Sequence, residues 1–228
     1  MKILAIETAT EACSAALLVD GEVTERYLVQ PRGHSELILS MVEELLAGAE
    51  LPLSALDAVA FGRGPGSFTG VRIATGVIQG IAFAADLPVA PVSTLAALAQ
   101  RYYRESGEER LLPAYDARMQ EVYWGAYIVS ETGLVKVVVP DEVSDPAKVS
   151  PPQGDGWCGV GSGWGSYGQQ LRSCLNGGLK QVQPEILCSA HDVALLGEAC
   201  VAANELVVAE MALPVYLRDK VAAKPGKR

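Results

Sequence analysis

The sequence is poor in the residues that metal sites and hydrolytic centres are built from. It has two histidines in 228 residues, His34 and His191. Each opens a predicted helix, and neither has a second histidine at ligand spacing. There is no H-x-x-x-H, no H-E-x-x-H and no C-x-x-C, so zinc or iron has no donor set. The five cysteines (Cys13, Cys158, Cys174, Cys188, Cys200) are scattered and odd in number. That pattern fits reduced thiols packed as small apolar groups in a cytoplasmic protein. The serines fall at turn and cap positions, with no base placed to activate them. No window reaches the ~18 apolar residues of a membrane helix. The apolar start "MKILAIETAT", with its lone Lys2, is too short for a signal peptide. Positive charge is also scarce: 18 Lys and Arg against 27 Asp and Glu leave a net charge of -9. No global field therefore draws nucleic acid. Only the C-terminal end runs the other way, with Arg218, Lys220, Lys224, Lys227 and Arg228 against Asp219. It reads as a solvated tail, with an RNA-contacting arm as the alternative.

What remains is an ordinary globular chain, half of it apolar, long enough for one large domain or two small ones. "KILAIETA", "CSAALLVDG" and "EVTERYLVQ" read as an antiparallel meander with a hairpin turn at Asp20-Gly21. "HSELILSMVEELLAG" is a helix. "DAVAFGRG" is a strand, "TGVRIATGVIQGIAFAAD" a helix, "LPVAPVS" a strand and "STLAALAQRYY" a helix. The chain turns polar at residues 105–110, which sets a boundary between a lobe 1–104, carrying the interface helices, and a second, degenerate lobe 105–228, with the C-terminal segment free to pack back on the first. Beyond it "LLPAYDA", "EVYWGAYIV", "GLVKVVVP" and "WCGVGSGW" read as strands, and "GSYGQQLRSCL" and "SAHDVALLGEACVAAN" as helices. "PDEVSDPAKVSPPQGDG" reads as mostly loop. No fixed-period repeat is visible. A β-β-β-α-β-α start is the order of the ribonuclease H-like and actin-like ATPase lobes. The expectation is an α/β fold of two related lobes, the first built on a mixed five-stranded sheet.

The stretch "FGRGPGSFTGVRIATG" looks like a phosphate cradle. No lysine follows its glycines, and neither Gly62 nor Gly64 starts a G-x-G-x-x-G, so both standard phosphate motifs fail. Gly64, Pro65 and Gly66 force a turn after a buried strand, and Ser67 or Thr69 caps the next helix. Free N–H groups there meet an anion on a second reading, and both readings stay open. Glu7 ends the first strand, where actin-like kinases and ATPases place a metal-facing carboxylate, followed here by Thr8-Ala9 in place of an opening glycine. The set Glu7, Gly64, Gly66, Ser67 and Thr69 is therefore the candidate anion site, read as degraded. Asp116 is either a second cleft carboxylate or, with Arg118, a turn closed by an ion pair.

The first two helices carry a different signal. In the first, Leu37, Ile38, Leu39, Met41, Val42, Leu45 and Leu46 span roughly 200°, twice what one core-facing stripe needs. In the second, only Arg72, Thr75, Gln79 and Asp86 make a polar strip, and Gly70, Gly76 and Gly80 each cost up to ~1 kcal/mol against alanine. A helix apolar nearly all round must be covered nearly all round. The cover is either the neighbouring helix or a second chain. Leu37, Leu39, Met41, Leu46, Arg72, Gly76, Gln79, Gly80 and Phe83 are the candidate interface residues.

These residues resemble a known family. "GRGPGSFTGVRIATG" is close to the G-P-G-S-F-T-G-[LV]-R-[IV]-G stretch of the bacterial TsaB (YeaZ) family. "MKILAIETATEACSAALLVDGEV", "HSELILSMVEELL", "YDARMQEVYWGAY" and "PVYLRDKVA" are similar to it too, with Ala74 where the family more often has Gly. The resemblance implies an actin-like fold and a role in making N6-threonylcarbamoyladenosine at position 37 of tRNAs that read codons beginning with A. It implies that the chemistry belongs to the paralogue TsaD, which uses a metal held by an H-x-x-x-H pair, on threonylcarbamoyl-adenylate made by a separate enzyme. This chain would be the non-catalytic partner, a homodimer alone or a heterodimer with TsaD through the first two helices. The ATPase TsaE completes the complex, tRNA is met through the complex, and no membrane is involved. The chain would have no cofactor of its own, with ATP or ADP admitted at the seam. Thr94 and Leu98 stand where TsaD has its ligands, so an older glycoprotease reading fails on the same residues. An ATPase or small-molecule kinase of actin-like fold acting alone is the alternative.

Overall fold

The computed structural model describes residues 1–175 and 177–218. Three buried or half-buried runs at the start form strands β1 (Lys2–Glu7), β2 (Ala12–Val19) and β3 (Glu22–Val29). They pair as an antiparallel meander, with Ile3 opposite Leu18 and Leu18 opposite Val23. Asp20 and Gly21 both take positive φ (51° and 93°), the geometry a two-residue hairpin demands. β1 and β2 are buried on both faces, whereas β3 alternates and forms the sheet edge. After helix α1 (His34–Gly48), β4 (Ala58–Gly62) joins β1 in parallel. Helix α2 (Phe68–Ala85) then leads to β5 (Val89–Val92), parallel to β4, and to helix α3 (Thr94–Ser106). The sheet order is β3-β2-β1-β4-β5.

The second half repeats this plan. β6 (Arg110–Asp116), β7 (Val122–Val129) and β8 (Val135–Ser144) form an antiparallel meander. β9 (Trp157–Val160), helix α4 (Ser162–Ser173) and β10 (Leu179–Gln183) extend it on the other side of β6 with parallel pairing. The order β10-β9-β6-β7-β8 is the first sheet's order over again. Two sheets of this mixed order make the expected actin-like α/β fold.

The helices layer the sheets. α1 and α2 cover one face of the first sheet, enclosing Leu4, Ile6, Leu17, Ile38, Phe61 and Ile78. On its other face lies helix α5 (Ala190–Ala202), so the chain's last helix returns to the first sheet. α3 packs against α5 and against the second sheet, and Leu95, Leu98, Leu111 and Val193 share that central core. α4 closes the far face of the second sheet over Trp124, Trp157 and Trp164.

Two expectations need correction. The stretch read as loop from Pro140 is strand as far as Ser144. β8 is an edge, paired only to β7, and proline is tolerated there. β10, "LKQVQ", was not anticipated. It is the opposite edge, mostly wet and polar, and lacks the alternation that marks a strand.

Candidate functional site

The glycine loop is packed against the turn that follows β1. A Cβ on Gly62 would stand 1.8 Å from Glu7 Oε2, one on Gly66 2.6 Å from the Ala9 carbonyl, and one on Gly70 2.0 Å from the Thr8 carbonyl. Ser67 N–H donates to the Ala9 carbonyl (2.8 Å), and Thr8 Oγ1 donates to the Gly70 carbonyl (2.7 Å). Ser67 is the N-cap of α2 and accepts from Gly70 N; Thr69 is exposed in the first turn. Gly64 holds φ +100° and exchanges two hydrogen bonds with Thr94, one to Oγ1 (3.1 Å) and one from its N–H (2.9 Å). The glycines are thus needed for close backbone contact inside the fold.

Glu7 is fully buried. Its carboxylate accepts from Ala9 N–H (2.5 Å) and from the Thr94 hydroxyl (3.4 Å). Burial pushes its pKa up to about 7, against the pull of those bonds. Thr94 and Leu98 are both wholly buried, Thr94 as a brace between the loop and α3. Among the described residues, no group of three His, Cys, Asp or Glu is placed to hold a metal. His34 Nε2 is 2.9 Å from the Thr10 carbonyl, and His191 lies at the start of α5 behind the Ser189 cap. Cys188 is buried and directs its thiol at the Thr94 carbonyl, 2.9 Å away; burial pushes its pKa well up, so it is no nucleophile.

Between the lobes runs a cleft of about 970 Å³. Of the five candidate anion residues only Gly66 and Ser67 line it; Glu7, Gly64 and Thr69 do not. Gly66 is backed onto Ala9, Gly64 faces Val215 and Val71, and the Glu7 carboxylate lies outside the cleft, so the five residues are not brought together on one surface. Asp116 lines the cleft and also closes a turn, accepting from Arg118 N–H (2.8 Å), Ser166 Oγ (3.1 Å) and Tyr167 OH (3.1 Å). The ion pair with Arg118 is 3.4 Å long and exposed, so both readings of Asp116 meet in one residue. Arg118, Met119 and Gln120 all take left-handed φ. Arg218 holds that turn, donating to the Ala117 carbonyl (2.9 Å) and pairing with Glu121. Lys220, Lys224, Lys227 and Arg228 lie outside the described residues.

The outer face of α2 is open. Arg72, Gly76, Gly80 and Phe83 are exposed, Phe83 to 77%. Among the described residues, a Cβ at Gly76 or Gly80 would meet nothing within 4 Å beyond its own stretch of helix, unlike one at Gly70. On α1, Ile38, Val42 and Leu45 are buried. Leu37, Met41 and Leu46 are half-buried, and Leu39 is 49% exposed. Gln79 points sideways and donates to the Ala212 carbonyl (3.1 Å). α2 is long and apolar enough on average to cross a membrane, yet it lies on β4 with seven residues buried.

The sequence reading let the C-terminal segment pack back on the first lobe but did not name α2 as what it lies against. Residues 207–218 form a strap along it, from the bridge Val207–Val89 past Gln79–Ala212 to the bond from Val215 N–H to the Arg63 carbonyl (2.8 Å). At its end the Tyr216 and Phe68 rings lie 6.1 Å apart, with the Arg72 guanidinium over both. The signal was present in "ELVVAEMALPVYL": apolar residues with no strand period and a proline, a pattern that fits a segment laid on a surface.

Against known proteins, the family model described as "TsaD: tRNA N6-adenosine threonylcarbamoyltransferase" matches residues 28–225. The chain is 42% identical to the tRNA threonylcarbamoyladenosine biosynthesis protein TsaB of Escherichia coli, over the whole of both chains. It belongs to the TsaB (YeaZ) family. The Haemophilus influenzae TsaB is 37% identical, over all of this chain and 98% of its own. The solved structure of YeaZ from Pseudomonas aeruginosa superposes with a TM-score of 0.88 at 47% identity, over 95% of this chain and 99% of that one. At the two positions where the resemblance places the TsaD ligands, this TsaB-family chain has Thr94 and Leu98, both sealed in the core.

Proposed function

We propose that this chain is the non-catalytic partner of a TsaD-type transferase in forming N6-threonylcarbamoyladenosine at position 37 of tRNAs that read codons beginning with A. The observation that carries the reading is the open face of α2. A Cβ on Gly76 or Gly80 would meet, among the described residues, nothing within 4 Å beyond its own stretch of helix, although each glycine costs helix stability. A second backbone laid on that face gives them a use. The missing ligands at Thr94 and Leu98 support placing the chemistry in the partner. The chain acts in the cytoplasm, pairs with itself when alone, meets tRNA through the complex, and is joined there by a TsaE-type ATPase. ATP or ADP belongs, on this reading, to the seam between the two actin-like chains.

The test is reconstitution. The transferase, the adenylate-forming enzyme, the ATPase, tRNA, threonine, bicarbonate and ATP should modify tRNA with this chain present and barely without it. Gly76→Leu with Gly80→Leu should abolish heterodimer formation by light scattering while the monomer stays folded. Undiminished association, or turnover of Mg-ATP by this chain as sole protein, would overturn the assignment.

A further inference from the structure

We infer that the transferase covers the C-terminal strap as well as the helix pair, so that the docking surface has three elements. This rests on the proposed function. Among the described residues, fourteen large apolar side chains are exposed. Seven lie on α1, α2 and the strap: Leu39, Phe68, Phe83, Val208, Met211, Leu213 and Tyr216. Four of those are in the strap alone, within residues 208–216. Such clustering on one side of a molecule marks an interaction surface.

The strap is continuous with the open face of α2. At ~100° per residue, the residues that meet it, Phe68 and Gln79, lie on one flank of the exposed arc. Ile73 and Val77, half-buried, lie on the other flank, and α1 packs against the same helix. The strap is anchored from beneath, since Ala212 is buried and Ala209 packs into the helix-side core. Met211 and Leu213, on either side of Ala212, are left outward.

Size points the same way. A stable interface takes about 800 Å² from each partner. The outer faces of α1 and α2, about 22 and 27 Å long and ~10 Å wide, offer roughly 500 Å². Four half-exposed apolar side chains add roughly 200 Å², which brings the surface close to what a lasting complex needs. The occupant is the transferase subunit, presenting an apolar face to the strap and a carboxylate to Arg72. No carboxylate of this chain lies within ion-pair distance of that guanidinium among the described residues, and burying it unpaired would be costly.

The experiment compares Met211→Glu/Leu213→Glu in the strap, Phe83→Glu on α2 and Val137→Glu on β8. Each is titrated with the purified transferase subunit by calorimetry, with thermal melts of each variant alone. The strap pair should weaken binding at least tenfold, Phe83→Glu similarly, and Val137→Glu less than twofold. If Phe83→Glu weakens binding and the strap pair does not, the inference fails and the proposed function stands. If neither weakens it, both fail. Hydroxyl-radical labelling of the unaltered chain needs no substitution: Met211 and Tyr216 should lose labelling several-fold on complex formation. Undiminished labelling of both would overturn the inference even if the variants unfold.

Discussion

Glu7 is a carboxylate sealed in the core, at the end of β1 in the centre of the first sheet. Here the Gly62 backbone lies against it, and burial raises its pKa from 4.5 to about 7. Between those values the folded chain holds a proton that the unfolded chain has released. Stability from this group therefore falls as pH rises from 4.5 to 7, and the loss is complete above 7. The size of the shift corresponds to about 3 kcal/mol. Gln is isosteric and never ionises. Glu7→Gln should melt within a degree or two of the parent at pH 5 and several degrees above it at pH 8.5. Equal differences at the two pH values would mean that Glu7 does not change its charge on folding.

At the scale of elements, α2 divides into two halves that use glycine differently. Gly70 lets its first turn press on the Thr8 carbonyl, whereas Gly76 and Gly80 meet nothing. Alanine should therefore act in opposite directions. Gly70→Ala forces a clash and should cost 1–3 kcal/mol or more. Gly80→Ala should stabilise the monomer by up to ~1 kcal/mol, or about 2–4 °C in Tm. Both are read by thermal melts at a concentration where light scattering shows monomer. A destabilised Gly80→Ala monomer would mean that an internal contact needs this glycine. The same contrast marks how far the sequence could be read. Helix starts were legible to within two residues, as Ser67 or Thr69 for α2 and Ser93 or Thr94 for α3, and Ser67 and Ser93 are the caps; the surplus apolar arc of α2 was legible from its wheel. Which glycine serves the inside and which the outside was not, because that depends on the β1–β2 turn sixty residues away. The edge strand β10 and the course of the strap were missed for a related reason. Their residues are fixed by what they lie against, and neither carries a period of its own.

At the scale of the molecule, two copies of one sheet order are joined through α3 and α5. α3 packs on the second sheet and α5 on the first, so their contact transmits stability between lobes. The polar centre of that contact is Arg104, which donates to both oxygens of Asp192 at 3.0 and 2.9 Å. Asp192 is wholly buried. Burial raises its pKa while the guanidinium pulls it back, so the carboxylate depends on Arg104 for its charge. The two-lobed plan was legible from strand order, but this pair was not: the residues are 88 positions apart, and each reads alone as a polar residue at a helix end. Removing the arginine leaves a buried carboxylate unpaired, at a cost of about 3 kcal/mol. Arg104→Ala should lower Tm by roughly 6–12 °C. Because the pair joins the two sheets, the loss should appear as one cooperative transition at lower temperature. Arg104→Met with Asp192→Asn removes both charges and should recover more than half of the loss. A Tm within a degree of the parent in Arg104→Ala, or two separate transitions, would show that the lobes are coupled elsewhere.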